Sequence, residues 1–547
     1  MSVSPPSAAA MPTAADIALA YHARTKHGLK RYAAGPETLD WDAQPNPFRE
    51  FAGCARTELP LRSDRLAASF AEACQGVAEV QPLTIDGVAL LLELSFGLSA
   101  WKEYGPDRWA LRCNPSSGNL HPTEAYVIAD NVPGLGDGLH HYVSRDHVLE
   151  FRCRRRTESA GEPRLWLGLS SIHWREAWKY GERAFRYCQL DLGHALGAIS
   201  YAAAALGWSA RAIDGLDSTA LAALMGVDRA DDFAGVEAED ADVLVAITPR
   251  LQDQPVRPGL PPPSTSADIW EGAANRLDRH PLYRWPVIAE VSAATTGTAR
   301  DAVTTSLPCP ARTPQSASRA AELILGRRSA QRFDARFTMS ADTFHHLLDA
   351  LLPRAAPPWN AWPFPAHLHP LLFVHRVDGL TPGLYALPRG SEAQSSLRRA
   401  LRPDFDWQRV ASAPAHLPLF HLLPTDSRGV IRTASCHQAI AGDGCFAVAM
   451  LAEFGPLVRD EPWRYRQLHW EAGLIGQVLY LEAEAAGLRG TGIGCYFDDS
   501  VHEMLGVAGD RLQTLYHFTV GRPLTDDRIT TLPAYPGRTR DEAGLVP

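Results

Sequence analysis

Two clusters of residues in this sequence are suited to holding a ligand, and they stand in opposite halves of the chain. In the second half, Gly326-Arg327-Arg328-Ser329-Ala330-Gln331-Arg332-Phe333 sets two adjacent guanidinium groups and a hydroxyl just after an apolar helical segment, with a third guanidinium close behind. Arginine offers planar forked donors and the following backbone can add N–H groups, so the cluster suits a phosphate. It also fits a solvated basic face. Later, the alternate glycines of Gly490-Thr491-Gly492-Ile493-Gly494 let a backbone approach a flat ligand and point amides at it, or serve a plain helix-to-strand turn. In the first half, Asn114-Pro115-Ser116-Ser117-Gly118-Asn119 is dense in side chains that hydrogen-bond and fix turns, and Lys179-Tyr180-Gly181-Glu182-Arg183 lies further on.

The elements that must position these residues occur twice. Residues 185–227 lie on 465–507 at a constant offset without a gap, aligning Arg186 with Arg466, Gly193 with Gly473, Gly207 with Gly487 and Gly226 with Gly506. A second anchor, 119–122 against 367–370, is followed in each copy by an apolar run and a turn, Gly138-Leu139 and Gly383-Leu384. Each copy lacks what the other has. Ala210, Ala212 and Asp214 replace the glycines in the first half, while Ala366 and Arg459-Asp460 replace Gly118 and Lys179-Tyr180 in the second. Two similar halves in one chain imply a fused homodimer whose pseudo-twofold interface carries two sites that need not both survive.

At 547 residues the chain exceeds one core, and the spacing predicts a domain over 16–250, a Pro-rich linker over 251–315 and a second domain over 316–547. Helical periodicity over 67–77, 87–98, 183–206, 316–325, 341–352 and 470–486 outweighs short strand-like runs at 124–129, 241–247, 371–375 and 514–520. The two kinds do not alternate regularly, so the expected class is α+β. A net charge of −9, spread along the chain, gives no nucleic-acid signature, and no apolar run reaches the roughly 20 residues of a membrane span. Residues 1–20 read as a frayed tail without a basic n-region. Nine cysteines without a CxxC pair point to small buried thiols in a reducing cytoplasm, and no metal site is expected. Gly134-Leu135-Gly136-Asp137-Gly138 has the wrong spacing for a dinucleotide fingerprint.

In their order along the chain, Pro-Ser-Ser-Gly-Asn, Arg-Arg-Ser and Gly-Ile-Gly resemble the nitroreductase superfamily of FMN enzymes. Lys-Tyr-Gly-Glu-Arg-Ala-Phe-Arg and Gly-Leu-His-His-Tyr resemble its SagB-type dehydrogenases, which oxidise thiazolines and oxazolines in peptides to azoles. The resemblance implies a dimeric site, here two tandem nitroreductase-like domains forming a pseudo-dimer within one chain, which could then be monomeric. Arg327, Arg328 and Ser329 would hold the phosphate and flavin edge, Gly492, Ile493 and Gly494 would lie beside the ring, and Pro115, Ser116, Ser117 and Asn119 would close the pocket. One FMN per chain is the consequence. The family's second basic residue after the serine is here Gln331, an amide without charge, so the neighbouring Arg332 would take over; Arg522 is a further phosphate candidate.

The resemblance makes Lys179 and Tyr180 the matched catalytic residues. Both titrate near pH 10, so acting as a base needs desolvation or a nearby cation, for which Arg175 and Arg183 are at hand. A surface lysine and a core tyrosine fit the same residues. The aromatic and proline-rich stretch 359–365 is expected to form a lid or wall of the pocket. The function expected is hydride transfer between a small-molecule or peptide substrate and FMN; NAD(P)H-dependent nitro or quinone reduction and a non-catalytic flavin-binding partner remain as alternatives.

Overall fold

A computed structural model describes residues 11–155, 161–214, 216–250, 259–298, 309–314 and 316–538. Each half is built around one antiparallel sheet. In the first, the order is Ile269–Trp270, Val148–Arg154, Gly138–Val143, Thr123–Asp130, Arg164–Ser171, Asp240–Pro249 and Trp208–Ile213, with Arg56–Glu58 also on Val148–Arg154. In the second it is Gln408–Arg409, Phe420–Pro424, Gly383–Ala386, Leu368–Val374, Phe446–Glu453, Leu512–Gly521 and Arg489–Ile493. The last five strands of the two lists correspond one to one, so the repeat read from a few anchors extends to the whole sheet.

The two 22-residue helices Ala184–Ala205 and Arg464–Ala485 are the matched segments of the repeat, and they pack on each other. Every residue of the first is buried, which its Ala and Leu content permits on all faces. Their crossing is set by glycine. A Cβ on Gly193 would stand 2.8 Å from the Cα of Gly473 and 2.1 Å from the carbonyl oxygen of Trp470; a Cβ on Gly473 would meet Gly193 and the Leu190 carbonyl at the same distances. Around this contact, Arg186 of the first helix reaches Asp498 at 2.7 Å, and Arg466 of the second reaches Asp242 at 2.6 Å. One apolar core runs through both halves.

The second half also adds a strand to the first. Thr530–Leu532 of the second half pairs with Leu98–Tyr104, itself hairpinned to Asp107–Arg112 of the first. Two expectations change. The 259–298 part of the expected linker is no open tether, because Ile269–Trp270 and Ala273–Ala274 pair with first-half strands and helix Pro286–Ala294 buries Val287, Ile288 and Val291. Apolar residues among the prolines account for this; 251–258 and 299–308 lie outside the described residues. The expected tail becomes helix from Ala14, started by a capping box between Thr13 and Asp16, while 1–10 lie outside the described residues.

Gly473→Ala should lower stability by about 1–3 kcal/mol, because neither backbone can move away without separating the halves. Gly429→Ala, with nothing within 4 Å of the added methyl, should be neutral or stabilising. Urea midpoints check the pair; equal midpoints would show that the helix crossing tolerates separation.

Candidate active site

A cleft of about 500 Å³ opens between the halves and is lined by both. Pro115, Ser116, Ser117 and Asn119 come from the first half and Arg327, Arg328, Ser329 and Gln331 from the second, with Gly492, Ile493 and Gly494 on a third side. The complementary motifs therefore meet in one place.

The first-half loop is held in an unusual shape. Gly118, Asn119 and His121 all have left-handed φ, at 59°, 61° and 53°, and side chains fix them there. Asn119 Nδ2 donates to the Ala110 carbonyl at 2.8 Å, and the His121 amide donates to Ser116 Oγ at 2.8 Å. Ser117 donates to Asp191 through its amide at 3.0 Å and its hydroxyl at 2.9 Å.

The opposite end is cationic. Arg327 is buried, donates to the carbonyls of Cys113 and Arg112 at 3.2 and 3.3 Å, and lies over the Tyr480 ring, while its Nη1 has no partner among the described residues. Burial pushes Arg327 below the ordinary arginine range and takes Arg328 to about 10, the neighbouring Arg327 adding to the second shift. Lys102 is likewise lowered by burial and by Arg328 and Arg489. Several cations crowded with a buried, unpaired guanidinium N–H make a site that an anion would relieve. Ser329 shares a hydrogen bond of 2.8 Å with Tyr480, whose hydroxyl also accepts the Gly492 amide at 3.0 Å.

The glycines at 492 and 494 have a reason the sequence did not show. A Cβ on Gly492 would fall 1.8 Å from Tyr516 Oη and one on Gly494 would fall 2.3 Å from the Tyr187 ring, so the strand lies flush on two tyrosines. Tyr187 donates to the Gly494 carbonyl at 3.2 Å.

Not every expected residue reaches the cleft. Arg332 and Arg522 are exposed and do not line it, the latter stacked 3.8 Å from the Phe337 ring centroid. Beside Arg327 and Arg328, the further cations that line it come from elsewhere, Lys102, Arg112 and Arg489. Helix His173–Tyr180 ends at Gly181 and presents Lys179 and Tyr180 to the loop: a Cβ on Gly118 would lie 3.1 Å from Lys179 Nζ and 2.5 Å from Tyr180 Oη. Tyr180 lines the cleft; Lys179 stands behind Gly118. Burial lowers the Lys179 ammonium, against the pull of Glu176, and raises Tyr180 well above its usual value. Tyr180 is therefore a hydroxyl donor at neutral pH, not a base. Arg175 and Arg183 do not supply a cation to either; they pair with Glu124 and Asp498.

At the position related by the pseudo-twofold, the described residues Ile213, Asp214, Phe364, Trp463, Arg466 and Trp470 line a small cavity of about 40 Å³. The stretch 359–365 is thus no lid over the cleft. Trp359, Trp362 and Phe364 are buried, and Phe364 helps to plug the second site.

Residues 324–522 match the model of the nitroreductase family. Over the whole chain, the crystal structure of an Anabaena variabilis protein assigned as a nitroreductase superposes with TM-score 0.67 at 22% identity, covering 93% of this chain and 99% of that one. The chain has a tandem nitroreductase fold. A Methanocaldococcus jannaschii protein assigned as a nitroreductase is 24% identical over 137 residues, 23% of this chain; the chain spans 66% of that relative, just under two thirds. An Exiguobacterium sibiricum nitroreductase in complex with FMN matches 39% of this chain and 92% of its own at 14% identity and TM-score 0.23.

This nitroreductase fold holds two acids that the motifs did not include. Asp191 lines the cleft beneath Ser117, and burial lifts its carboxyl to about 7; Glu176 is buried beside it and is raised by burial and by Asp191. A signal existed, because Asp191 is an acid within an apolar helix and aligns with Glu471 of the second copy. A raised acid favours the native state below its unfolded value and loses that contribution as pH rises toward the folded one. Relative to Asp191→Asn, wild-type Tm should fall between about pH 4 and pH 7, the interval from the ordinary carboxyl to the raised one. Parallel Tm profiles would mean that Asp191 ionises normally.

Proposed function

We propose that this protein is an FMN-dependent oxidoreductase with one composite site per chain, acting as an azoline dehydrogenase on a peptide. The observation that carries the flavin reading is the cationic end of the cleft, where a buried Arg327 N–H lacks a partner beside Arg328 and Ser329. The cleft volume falls within the roughly 300–1,000 Å³ of small-molecule and cofactor sites. Arg327, Arg328 and Ser329 would hold the phosphate end, and 492–494 with the 115–119 loop would enclose the ring. The collapsed pseudo-equivalent site supports a stoichiometry of one.

FMN, when bound, supplies the two-electron acceptor. The chain must supply a place for the proton. Lys179, lowered by burial and set behind Gly118, is suited to take it in its neutral form through one intervening water, and Tyr180, which lines the cleft, is suited to donate a hydrogen bond to the ring heteroatom or carbonyl of the substrate. This pairing of Lys179 and Tyr180 at Gly118 favours dehydrogenation over nitro or quinone reduction, in which no carbon-bound proton leaves.

Purified protein should hold one FMN per chain, and Arg327→Ala should weaken it about 10- to 100-fold, the worth of a charged hydrogen bond. Two per chain, or none after FMN is added, would overturn the composite site. Lys179→Arg should keep FMN and lose azoline oxidation, because a guanidinium does not deprotonate. In the wild type kcat should rise with pH through a limb below the ordinary lysine value of 10.5, as the ammonium is lost. Azoline turnover by Lys179→Arg at the wild-type rate would remove Lys179 as the base, and no azoline turnover by the flavin-loaded wild type would return the weight to nitro or quinone substrates.

A further inference from the structure

Two cysteines separated by 59 positions meet at the rim of the cleft. Cys495 follows the 492–494 segment and lines the cleft, and its Sγ lies 2.6 Å from that of Cys436. Cys436 stands just beyond helix Arg428–Ala434, where Cys436 and His437 have consecutive left-handed φ values of 52° and 59°. Residues with a Cβ adopt that region sparingly, and strain of this kind concentrates at functional sites. The strained turn aims Cys436 at its partner, and the His437 ring braces it edge-on against Phe497.

The surroundings divide the two thiols. His27 stands beside Cys495 and favours its thiolate, and its Nδ1 already accepts the Ala33 amide at 2.9 Å, which leaves the ring proton on Nε2. Arg183, anchored on Asp498 at 2.9 Å, donates to the Gly494 carbonyl at 3.3 Å and adds positive charge nearby. The Cys436 contact first, then His27 and Arg183, brings Cys495 down to about 5, while the same contact pushes Cys436 up. Tyr32, beside Cys436, is half exposed and both cysteines are partly exposed, so a small reagent has access. Cys74, Cys113, Cys188 and Cys445, by contrast, are buried with thiols pushed up.

We propose that Cys436 and Cys495 are a redox-active dithiol–disulfide couple at the cleft rim that exchanges with low-molecular-weight thiols and disulfides of the glutathione class. The Cys495 thiolate attacks one sulfur of glutathione disulfide, forming a mixed disulfide and expelling one glutathione thiolate. Cys436 then gives its proton to that thiolate and attacks the Cys495 sulfur, expelling the second glutathione. Two protein thiols are oxidised and one disulfide is reduced to two thiols; excess glutathione reverses both steps. The oxidised couple ties the backbone after 494 to the turn after helix Arg428–Ala434 and fixes one edge of the cleft.

The test is a redox titration of the full chain, with and without added FMN so that failure to bind flavin leaves the result readable. Samples equilibrated in glutathione buffers are acid-quenched, alkylated in denaturant and mapped by mass spectrometry. A linked pair of peptides carrying 436 and 495 should appear in one two-electron transition while the other seven cysteines stay alkylated. Cys436→Ser should accumulate a glutathione adduct on Cys495 instead. Alkylation of both cysteines at every ratio, or adducts on both without a link, would overturn the proposal.

Discussion

Two glycines in van der Waals contact decide how this molecule is put together. Because Gly193 and Gly473 allow the helices Ala184–Ala205 and Arg464–Ala485 to touch backbone to backbone, everything carried on those helices is brought within reach of the opposite half. Asp191, two positions before Gly193, supports the Ser117 loop; Tyr480, seven after Gly473, is shared by Ser329 and Gly492. A wider crossing would separate the two walls of the cleft. Arg186 with Asp498 and Arg466 with Asp242 fasten the same contact on either side, buried pairs whose value lies more in fixing register than in net stability.

From this symmetric crossing the two sites have gone separate ways. One retains a loop in left-handed conformation, unpaired cationic donors and a backbone laid on tyrosines. The other has filled with Trp463, Trp470 and Phe364, apolar side chains that gain more by burial than by lining a solvent-filled cleft. Once a chain carries both interfaces covalently, the loss of one is not repeated in its partner. A homodimer cannot make that choice, since each substitution appears in both sites.

Much of this was legible in the sequence, for identifiable reasons. Glycine, Arg-Arg-Ser and the Ser-Ser-Gly-Asn loop keep local chemistry that can be recognised without coordinates, and the constant offset of 185–227 on 465–507 marked the two packed helices, while the sheet order came only with the fold. What failed was the assignment of side chains whose meaning is set by distant neighbours. Arg332 and Arg522 follow the phosphate cluster and strand, yet point to solvent, while Lys102 and Arg489 arrive from other strands. The aromatic stretch 359–365 looked like a pocket wall and is one, but of the vanished site, because composition does not say which of two related positions a segment faces. Tyr180 illustrates a third limit: its burial sets the direction of its titration, and burial belongs to the fold. Cys436 and Cys495 gave no sign at all, lying on separate elements 59 residues apart.

The small strand Thr530–Leu532 has a consequence for synthesis. Lys102 of the first-half hairpin and Thr531 of that strand form one wall of the cleft across 429 residues of chain. A ribosome adding about 5–20 residues per second needs roughly 20 to 90 seconds to travel that distance. For all that time the hairpin's edge emerges without its neighbour, and the cleft has only one of its two walls. The cleft is thus completed late, after both halves exist, and the first half must spend its early life with an open sheet edge that cellular chaperones are free to cover.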